Sequence, residues 1–441
     1  MIVELGRHSR DRLLAVARAL DGRDRGVALL HGEGWGALTL AVDPIDERRI
    51  AFSERAFDEV ESSLDALARP SPSRGWNGLR PAYEWIGYVA YEAARSLERP
   101  AWTRTPDARP APIGAAMVMR RFGAVARRDP SSGVVSIEGS DRASVATLAR
   151  AIADTPAIDL EIKPIVLTAE DSSELHAARI ERVLSLIARG DLYQANVARA
   201  FSTTTAASAT ELLASLLHRT TARFAAAIDL GDHALASSSP ELFLDVQGRR
   251  VLTSPIKGTR PRGREAEDDA RLSEELAHDP KEQAELTMIV DLERNDLGRV
   301  ASIGSVRAAG NPRLESSRTV HHVVRDVVAE LRPEVGIGTL FRAAFPSGSV
   351  TGAPKIRAME VIAELEASRR GLYCGAIVAI DRGGGVRASM AIRTLVVDRR
   401  SSIARYHAGG GIVEGSRVER EVAETEWKAR QVLATTSRTS P

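Results

Sequence analysis

Short runs of alternating apolar and polar residues recur along the chain, and longer runs with helical spacing separate them. Strand patterns occur within Val27–Val42 and Tyr193–Leu252, and at Tyr373–Ile380, Val386–Val397 and Ile403–His407. Helical patterns cover approximately Glu54–Ala68, Glu170–Ala188, Glu265–Leu331, Ala353–Ala367 and Arg417–Leu433. Many strands follow one another without an intervening helix. The pattern therefore predicts an α+β fold with large, mostly antiparallel sheets rather than a regular strand–helix alternation.

The length of 441 residues allows two or three domains. We place a first region at residues 1–155 and a second at residues 165–436, joined by a connector at Asp154–Pro164. Because the periodic patterns are stronger in the second region, we expect most of the chemistry there.

Composition excludes several classes of protein. The net charge of +1 gives no basic surplus for a nucleic-acid or membrane-surface partner. No apolar run approaches the ~18 residues that span a bilayer, and the N-terminus lacks the apolar core of a signal peptide. A single cysteine, Cys374, excludes an internal disulfide and a cysteine-rich zinc site. We expect a cytoplasmic protein with no nucleic-acid or membrane partner.

Lysine is rare in this chain. Lys and Arg together number 60, but the lysines are only those at positions 163, 257, 281, 355 and 428. Arg stays protonated in proteins, whereas a desolvated Lys can lose its proton and act as a nucleophile. A lysine retained here is a candidate for chemistry that Arg cannot perform, with chance as the alternative. Lys257, between Pro255 and Gly258, is placed as if held in a tight turn.

Carboxylates cluster on two predicted helices. Asp279–Glu282 forms a helix start, with Asp as N-cap and Pro at the first position, and Glu285 falls on the apolar stripe that follows. On the final helix Glu421, Glu424 and Lys428 share one flank. Such groups suit a hard cation with an anionic ligand. The structural alternatives are a buried ion pair for the first group and a Glu424–Lys428 surface pair for the second, and the residues alone favour these alternatives.

Three further features allow both a functional and a structural interpretation. Arg393, inside the apolar run Ala391–Leu395, needs a counter-charge, which is either a substrate carboxylate or an internal salt bridge. The glycines at 409–411 follow a strand, where their amides can cradle a carboxylate or simply form a turn. Glu241 has apolar neighbours, so burial would raise its pKa and suit it to general-acid catalysis; a structural, hydrogen-bonded Glu is the alternative.

Taken together, these segments resemble the chorismate-utilising enzymes, a family that includes the large subunits of anthranilate synthase and aminodeoxychorismate synthase, isochorismate synthase and salicylate synthase. The resemblance covers about Glu170–Leu433, and Trp85–Glu92 more weakly. It is carried by Gly190–Asn196, Ser239–Glu241, Pro255–Gly263, Ala284–Asp296, His321–His322, Phe345–Lys355, Ala391–Thr394, Gly409–Val413 and Glu424–Thr425. Two residues depart from the family pattern: Leu286 replaces a polar residue, and Ser347 replaces the small residue usual before Gly348.

The resemblance implies a fold of two large, mostly antiparallel sheets packed as a sandwich with helices on the outside. Residues 1–155 would form an N-terminal region like that of anthranilate synthase component I, and residues 165–436 the chorismate-binding catalytic domain. The implied cofactor is Mg²⁺, held by Glu285 and Glu424 with Glu421 nearby.

The same resemblance implies roles for the remaining site residues. Glu241 would protonate the departing C4 hydroxyl of chorismate, and His322 would orient that end of the substrate. Arg393 and Tyr373 would hold the enolpyruvyl carboxylate. The other implied substrate-binding residues are Gln194, Gly258, Thr259, Thr351, Gly409, Gly410, Gly411 and Lys428.

Two positions separate the branches of the family. Gln194 stands where isochorismate and salicylate synthases carry the lysine that activates water, so ammonia is the implied nucleophile. Lys257 stands where anthranilate synthases carry Ala; in aminodeoxychorismate synthases this lysine attacks C2 as the C4 hydroxyl leaves. We therefore expect the aminodeoxychorismate synthase branch, serving 4-aminobenzoate and folate synthesis, with ammonia from a glutamine amidotransferase subunit in a heterodimer. Anthranilate synthase component I or 2-amino-2-deoxyisochorismate synthase, with nitrogen at C2, is the alternative.

Overall fold

The computed structural model describes residues 1–21, 25–69, 80–97, 107, 109–155, 165–219, 221–318 and 320–432. The strands are β1 (Ile2–Arg7), β2 (Ala28–His31), β3 (Leu38–Ala41), β4 (Pro44–Ile50), β5 (Tyr83–Val89), β6 (Met117–Phe122), β7 (Ala124–Arg128), β8 (Val134–Gly139), β9 (Thr168–Ala169), β10 (Gln194–Thr204), β11 (Phe224–Asp229), β12 (His233–Ser239), β13 (Leu242–Gln247), β14 (Arg250–Ser254), β15 (Ile256–Pro261), β16 (Arg307–Ser316), β17 (Val320–Glu330), β18 (Gly352–Ala353), β19 (Ala376–Asp381), β20 (Val386–Met390), β21 (Thr394–Asp398) and β22 (Ile403–Ile412).

The helices are α1 (Arg10–Asp21), α2 (Ala56–Leu67), α3 (Arg142–Asp154), α4 (Ser173–Ala188), α5 (Ala209–Arg219), α6 (Ala266–His278), α7 (Pro280–Gly298), α8 (Ile337–Ala344), α9 (Lys355–Leu365) and α10 (Val418–Val432). Short 3-10 helices occur at Glu33–Trp35, Tyr91–Ser96 and Gly348–Val350.

The strands form two large sheets, and every pairing among the described residues is antiparallel. The first sheet has the order β1-β8-β7-β3-β2-β11-β12-β21-β22-β10-β18, with β9 beside β10. The second has the order β15-β17-β14-β13-β20-β19-β5-β6-β4, with β16 beside β17. The predicted α+β class with antiparallel sheets is confirmed.

The two sheets pack face to face through side chains that alternate along each strand. In β11 of the first sheet, Ala226 and Ile228 belong to a core that also contains Ile377 of β19 in the second sheet. The intervening residues Ala225 and Ala227 face the opposite side and join a different core. This period of two is what a strand buried on both faces requires. The predicted sandwich is therefore correct.

Helices cover the two outer faces of the sandwich. Apolar residues of α1, α3 and α5 share a core with the outer face of the first sheet. Those of α2, α7 and α8 share a core with the outer face of the second. Helices α4 and α9 pack on β10. The buried area on each face explains why the helices predicted near Glu54–Ala68 and Glu170–Ala188 are observed, because tertiary packing of an apolar face stabilises short helices.

The helical prediction for Glu265–Leu331 is wrong over its second half. Helices α6 and α7 are present, but Arg307–Ser316 and Val320–Glu330 are strands. The second of these contains five valines, a composition typical of strands. It pairs with β14, β15 and β16, so its main chain is satisfied inside the sheet.

The predicted strand Val386–Val397 is two strands in two different sheets. β20 belongs to the second sheet and β21 to the first, so the chain crosses the sandwich at Ala391–Arg393. Arg393 has φ of 51° at this crossing. The crossing explains how an arginine can occur within this apolar run. Arg393 lies between two strands rather than within one, so it is not part of the sandwich core.

Both sheets combine strands from the two predicted regions. β2 pairs with β11, and β5 pairs with β19. The division at 1–155 and 165–436 stays a prediction about the sequence. Residues 156–164 of the predicted connector, and the last residues of the second region beyond 432, lie outside the described residues.

Among the described residues, no helix has the length and apolarity needed to cross a membrane.

Candidate active site

A cavity of about 570 Å³ lies where the edges of both sheets meet helices α7 and α10. Of the predicted site residues, all but Gln194 and Thr351 line it. These are Glu241, Lys257, Gly258, Thr259, Glu285, His322, Tyr373, Arg393, Gly409, Gly410, Gly411, Glu421, Glu424 and Lys428. Residues up to 187 positions apart in sequence are thus gathered around one space.

Lys257 lies in β15, at an irregularity in the pairing with β17. The next residue, Gly258, has φ of 73°, and a Cβ there would lie 2.7 Å from Leu276 Cδ1. A bulge of this kind changes the direction of neighbouring side chains. The predicted tight turn is instead a bulged strand, and the bulge still fixes the direction of the Lys257 side chain. In the described part of the chain, the Lys257 ammonium has neither a hydrogen bond nor an ion pair, although it lines the cavity.

The glycines at 409–411 lie in strand β22, opposite Asn196–Ala198 of β10, and not in the predicted turn. Their lack of side chains keeps the cavity floor open. A Cβ on Gly411 would lie 3.1 Å from Gln194 Nε2 and 3.3 Å from Lys257 Nζ. A Cβ on Gly410 would lie 3.0 Å from Glu421 Oε2. Gln194 therefore stands beside Lys257, just behind the floor. Both polar atoms of its fully buried amide lack hydrogen-bond partners among the residues that the structure describes.

Glu241 follows β12 and is 5% exposed. Ser349 Oγ donates a hydrogen bond of 2.6 Å to its Oε1. Burial raises the pKa of Glu241 to about 7, against the opposing effects of Ser349 and of the Lys257 charge. The carboxyl is therefore partly protonated near neutral pH, as a general acid must be. The predicted raised pKa is confirmed.

His322 of β17 keeps a neutral ring in the cavity wall. Its Nδ1 lies 3.0 Å from Thr259 Oγ1 and 3.3 Å from the Gly258 carbonyl oxygen. Burial, followed by the charge of Arg393, lowers the pKa of His322 to about 3. Nε2 is buried without a partner among the described residues. With Nδ1 protonated and donating to the carbonyl, Nε2 is free to accept a hydrogen bond from a bound hydroxyl.

Arg393 and Tyr373 lie in neighbouring parts of the wall. No ion pair or side-chain hydrogen bond of Arg393 is formed within the described residues, and burial lowers its pKa. The Tyr373 ring stacks on His407 with centroids 5.2 Å apart. Burial raises the pKa of Tyr373 well above its usual value. Of the two interpretations of Arg393, an internal salt bridge is thus not observed in the described residues.

Four carboxylates form one side of the cavity: Glu282 and Glu285 from α7, and Glu421 and Glu424 from α10. Helix α7 begins as predicted, since the Asp279 carboxylate accepts from the Lys281 and Glu282 amides at 3.0 and 3.3 Å. Burial raises the pKa of Glu285 and of Glu421, and neighbouring carboxylates add to both shifts. Cations lie against three of the four: Arg260 is 3.3 Å from Glu282, Lys281 is 3.7 Å from Glu285, and Lys428 is 2.6 Å from Glu424.

Lys428 on the final helix takes part both in the predicted surface ion pair and in the cavity wall. Its ammonium lies 2.6 Å from Glu424 Oε1, which is the i,i+4 pair expected on structural grounds. It also donates to the Gly409 carbonyl oxygen at 2.7 Å and lines the cavity. One of its three N–H donors remains for a ligand.

Thr351 does not contact the cavity. It is fully buried, and its hydroxyl donates to the Ser347 carbonyl oxygen at 2.9 Å. The hydroxyl thus stabilises the Ser347–Thr351 turn instead of facing a ligand, which corrects its predicted place in the site.

A sequence profile of chorismate binding enzymes matches residues 26–434. The chain belongs to the chorismate binding enzyme family. The match includes every element that lines the cavity.

Relatives within the family carry two different names. Aminodeoxychorismate synthase component 1 of Klebsiella aerogenes is 41% identical over 262 residues, which are 59% of this chain and 58% of that protein. Anthranilate synthase component 1 1 of Haloarcula marismortui is 34% identical over 450 residues, which cover 96% of this chain and 89% of that protein. The crystal structure of anthranilate synthase component I from Streptococcus pneumoniae superposes with a TM-score of 0.76 at 26% identity, covering 89% of this chain and 91% of that chain.

Several cavity residues were not singled out from the sequence: Asn196, Ser349, Arg260, Lys281 and Trp427. Asn196 and Ser349 stand inside family motifs, so motif position was an available signal. Their partners, however, are set by tertiary contacts. The Asn196 Oδ1 atom, for example, is buried without a partner among the described residues, which no local pattern indicates.

Proposed function

We propose that this chain is the large subunit of an aminodeoxychorismate synthase and converts chorismate and ammonia to 4-amino-4-deoxychorismate. The observation that carries the proposal is the Lys257 ammonium, which has no ion pair within the described part of the chain and lies in the wall of a cavity that also contains the buried acid Glu241. A nucleophilic lysine and a proton donor are the two groups that displacement of a hydroxyl through a covalent amine requires.

The charge of the cavity supports a dianionic substrate. Chorismate has a ring carboxylate and an enolpyruvyl carboxylate, so its site must supply positive charge at two places. Arg393 offers one cation without an internal partner in the described residues, and Lys428 offers a donor at the glycine floor. The enolpyruvyl carboxylate would bind Arg393 beside Tyr373, and the ring carboxylate would lie over Gly409–Gly411.

The proposed reaction has two displacements. Lys257, after its ammonium has lost a proton, attacks C2 as an amine while both ring double bonds shift and the C4 hydroxyl leaves as water with the proton of Glu241. Ammonia then enters at C4 and expels the lysine. Gln194 stands beside Lys257, and an amide cannot act as a base toward water. That favours ammonia over water as the second nucleophile.

Mg²⁺ is the proposed cofactor, and the donor set fits it. Mg²⁺ takes oxygen ligands, keeps several waters and usually binds through one or two carboxylates plus its ligand. Glu285 and Glu424 would hold it with Glu421 nearby. Within the described ranges no three His, Cys, Asp or Glu side chains converge into a ready metal cage, which such a mixed site does not need. When bound, the ion would neutralise the carboxylate side and attract the ring carboxylate.

Glu285→Gln is expected to weaken Mg²⁺ binding about 10- to 100-fold. Without Mg²⁺ the variant should melt at an equal or higher temperature than the parent, because a buried carboxylate repelled by its neighbours is removed. Titration calorimetry and thermal melts with and without Mg²⁺ measure both effects. Glu419→Gln, an exposed position on the helix that carries Glu424, is the matched control. Unchanged Mg²⁺ affinity in Glu285→Gln would contradict the assignment.

Arg393→Met is expected to weaken chorismate binding about 10- to 100-fold, since a hydrogen-bonded charge pair contributes about 1.5–3 kcal/mol. Stability of the unliganded protein should not fall, because the arginine has no internal counter-charge among the described residues to lose. Binding titration and thermal melting test the two halves separately. The control is Arg150→Met at an exposed position of α3. A drop in stability without loss of affinity would make Arg393 a structural residue.

Product analysis tests the proposal as a whole. Purified protein with chorismate, Mg²⁺ and ammonium should form 4-amino-4-deoxychorismate, identified by mass and NMR. Fluorescent anthranilate would instead support the anthranilate synthase alternative, which the long alignment with the Haloarcula marismortui relative favours. Product formed without ammonia would support a water-using enzyme.

A glutamine amidotransferase subunit is the proposed source of ammonia. The component 1 designation of the relatives implies a second component. Co-purification with such a subunit, and glutamine-dependent product formation only in its presence, would support the heterodimer.

A further inference from the structure

Behind Glu241, a row of oxygen atoms leads away from the cavity into the core. Ser349 Oγ lies 2.6 Å from Glu241 Oε1 and 2.9 Å from Ser347 Oγ. Ser347 Oγ lies 2.6 Å from Glu293 Oε1 on helix α7. All four side chains are more than nine-tenths buried, and Glu293 is completely so. The row thus joins the candidate acid to a second carboxyl that the proposed reaction does not use.

The row has more contacts than the serines have hydrogens. Three oxygen–oxygen contacts of hydrogen-bond length need one hydrogen each, and each serine hydroxyl supplies one. If both carboxyls are ionised, two hydrogens serve three contacts and one oxygen pair is left repulsive. The missing hydrogen must therefore be a carboxyl proton, on Glu241 or on Glu293.

The surroundings favour a proton on Glu293 over a second negative charge there. Burial raises the pKa of Glu293, and the nearby Asp296 raises it further. Lys355 opposes this, but its ammonium is bound to Asp296 at 2.6 Å and to the Ala344 carbonyl oxygen at 3.0 Å. Glu293 Oε1 also accepts from the Gly348 amide at 3.2 Å, while Oε2 has no partner among the described residues. At the other end of the row, Lys257 is the cation that faces Glu241.

We propose that Glu293 stays protonated and shares its proton with the row through Ser347 and Ser349 whenever Glu241 is ionised, and that Glu241 in its acid form carries a second proton. Both serine hydroxyls then point toward Glu241. Glu293 is thus a positioning residue that acts on the candidate acid through two hydroxyl groups.

The consequence for the reaction rests on the proposed function. Glu241 gives a proton to the leaving C4 hydroxyl; the C4–O bond breaks, its electron pair stays with the oxygen, and water departs. The proton lost in this step is the one on Glu241, and the Glu293 proton stays in the row. The new Glu241 carboxylate is met by an already oriented chain of three hydrogen bonds, from Ser349, from Ser347 and from the Glu293 carboxyl. Such preorganisation stabilises charge that develops in the transition state.

Ser347 is the link that makes the row continuous. Without the Ser347 hydroxyl, Ser349 would still donate a hydrogen bond to Glu241, but no hydrogen bond would connect Glu293 to Ser349 or to Glu241.

Infrared spectroscopy of the intact, unliganded protein tests the Glu293 proton directly. The carbonyl stretch of a protonated carboxyl, shifted in D₂O, is followed through a pH titration. The parent should retain part of this band at pH values where Glu241, with its pKa of about 7, is already ionised, and Glu293→Gln should lose that part. In Ser347→Ala the band should titrate about one pH unit lower, a tenfold loss of proton affinity. Ser347→Thr, which keeps the hydroxyl, should behave like the parent.

Ser136→Ala is the matched control, because Ser136 is fully buried in β8 with a hydroxyl that has no partner in the described residues. An unchanged band in Glu293→Gln, or a parent-like titration in Ser347→Ala, overturns the proposal. If Glu293→Gln does not fold, the serine variants decide alone. These spectra need no turnover, so they stand apart from the product analysis that tests the proposed function.

If the product analysis shows turnover, the kcat values of the Ser347 variants provide a second test of the role of Ser347. Ser347→Ala should lower kcat roughly tenfold with little change in KM, since a hydrogen-bond chain to a charged group is shortened. Ser347→Thr should restore it. A loss confined to KM, or a failure of Thr to rescue, would leave Ser347 with a merely structural role.

Discussion

Replacement of Lys257 by alanine should abolish formation of 4-amino-4-deoxychorismate, with a loss on the order of 10³-fold or more, as is usual when a covalent nucleophile is removed. The lysine is proposed to form the C–N bond at C2 that directs ammonia to C4. Mass spectrometry of the parent protein after exposure to chorismate without ammonia should show an adduct on the peptide that contains Lys257. The adduct should disappear in Lys257→Ala.

The matched variant is Lys257→Arg. Arginine keeps the positive charge beside Glu241 but cannot lose its proton to become a nucleophile. If Lys257 acts through its charge alone, Arg should retain much of the activity; if it acts as a nucleophile, Arg should be as inactive as Ala. Anthranilate formed by the unmodified parent, with no adduct on Lys257, would exclude the proposed C4 chemistry.

Glu241→Gln should lower kcat about 10²- to 10⁴-fold, the usual contribution of a general acid. Glutamine has the same shape and still accepts the Ser349 hydrogen bond, but it has no proton to give. The fold should be kept, because the ionised form of a carboxyl whose pKa is raised by burial is the costly one.

The pH dependence of kcat distinguishes an acid that acts in its protonated form from a base. Glu241 acts in its protonated form, so the parent's kcat should fall as pH rises through its pKa of about 7, and this limb should be missing from the residual rate of Glu241→Gln. Rates must be compared at a fixed concentration of unprotonated ammonia. Glu334→Gln, at an exposed position after β17, is the control. A rate within threefold of the parent would assign the general acid elsewhere.

The fold class was accessible from sequence because short apolar runs that end near glycines follow one another without an intervening helix. Phe224–Asp229 and Ala376–Asp381 are such runs, and both segments are strands buried on two faces. The strand at Val320–Glu330 was missed because its valines fall at 320, 323, 324, 327 and 328, a spacing of three and four residues that is typical of a helix face. The crossing at Ala391–Arg393 was missed for another reason: a change of sheet leaves no local signal in an apolar run.

Site residues could be predicted where they belong to a recognisable motif. Their hydrogen-bond partners could not be predicted, because tertiary packing determines them. Lys257, Glu241 and Arg393 were all candidates from sequence, and all line the cavity. The same reasoning placed Thr351 in the site, although its hydroxyl is turned into its own loop. The Ser347–Glu293 contact joins residues 54 positions apart, and only the fold brings them together.

The sharing of strands between the ends of the chain also has a consequence for biosynthesis. Tyr83–Val89 must wait for Ala376–Asp381 to fill its open side, and Ala28–His31 must wait for Phe224–Asp229. At about 5–20 residues per second, the first wait lasts some tens of seconds on the ribosome. During that time an unpaired strand edge is open to pairing with other nascent chains. The architecture that surrounds the cavity with distant residues therefore leaves the unfinished polypeptide exposed to aggregation until nearly all of it has been made.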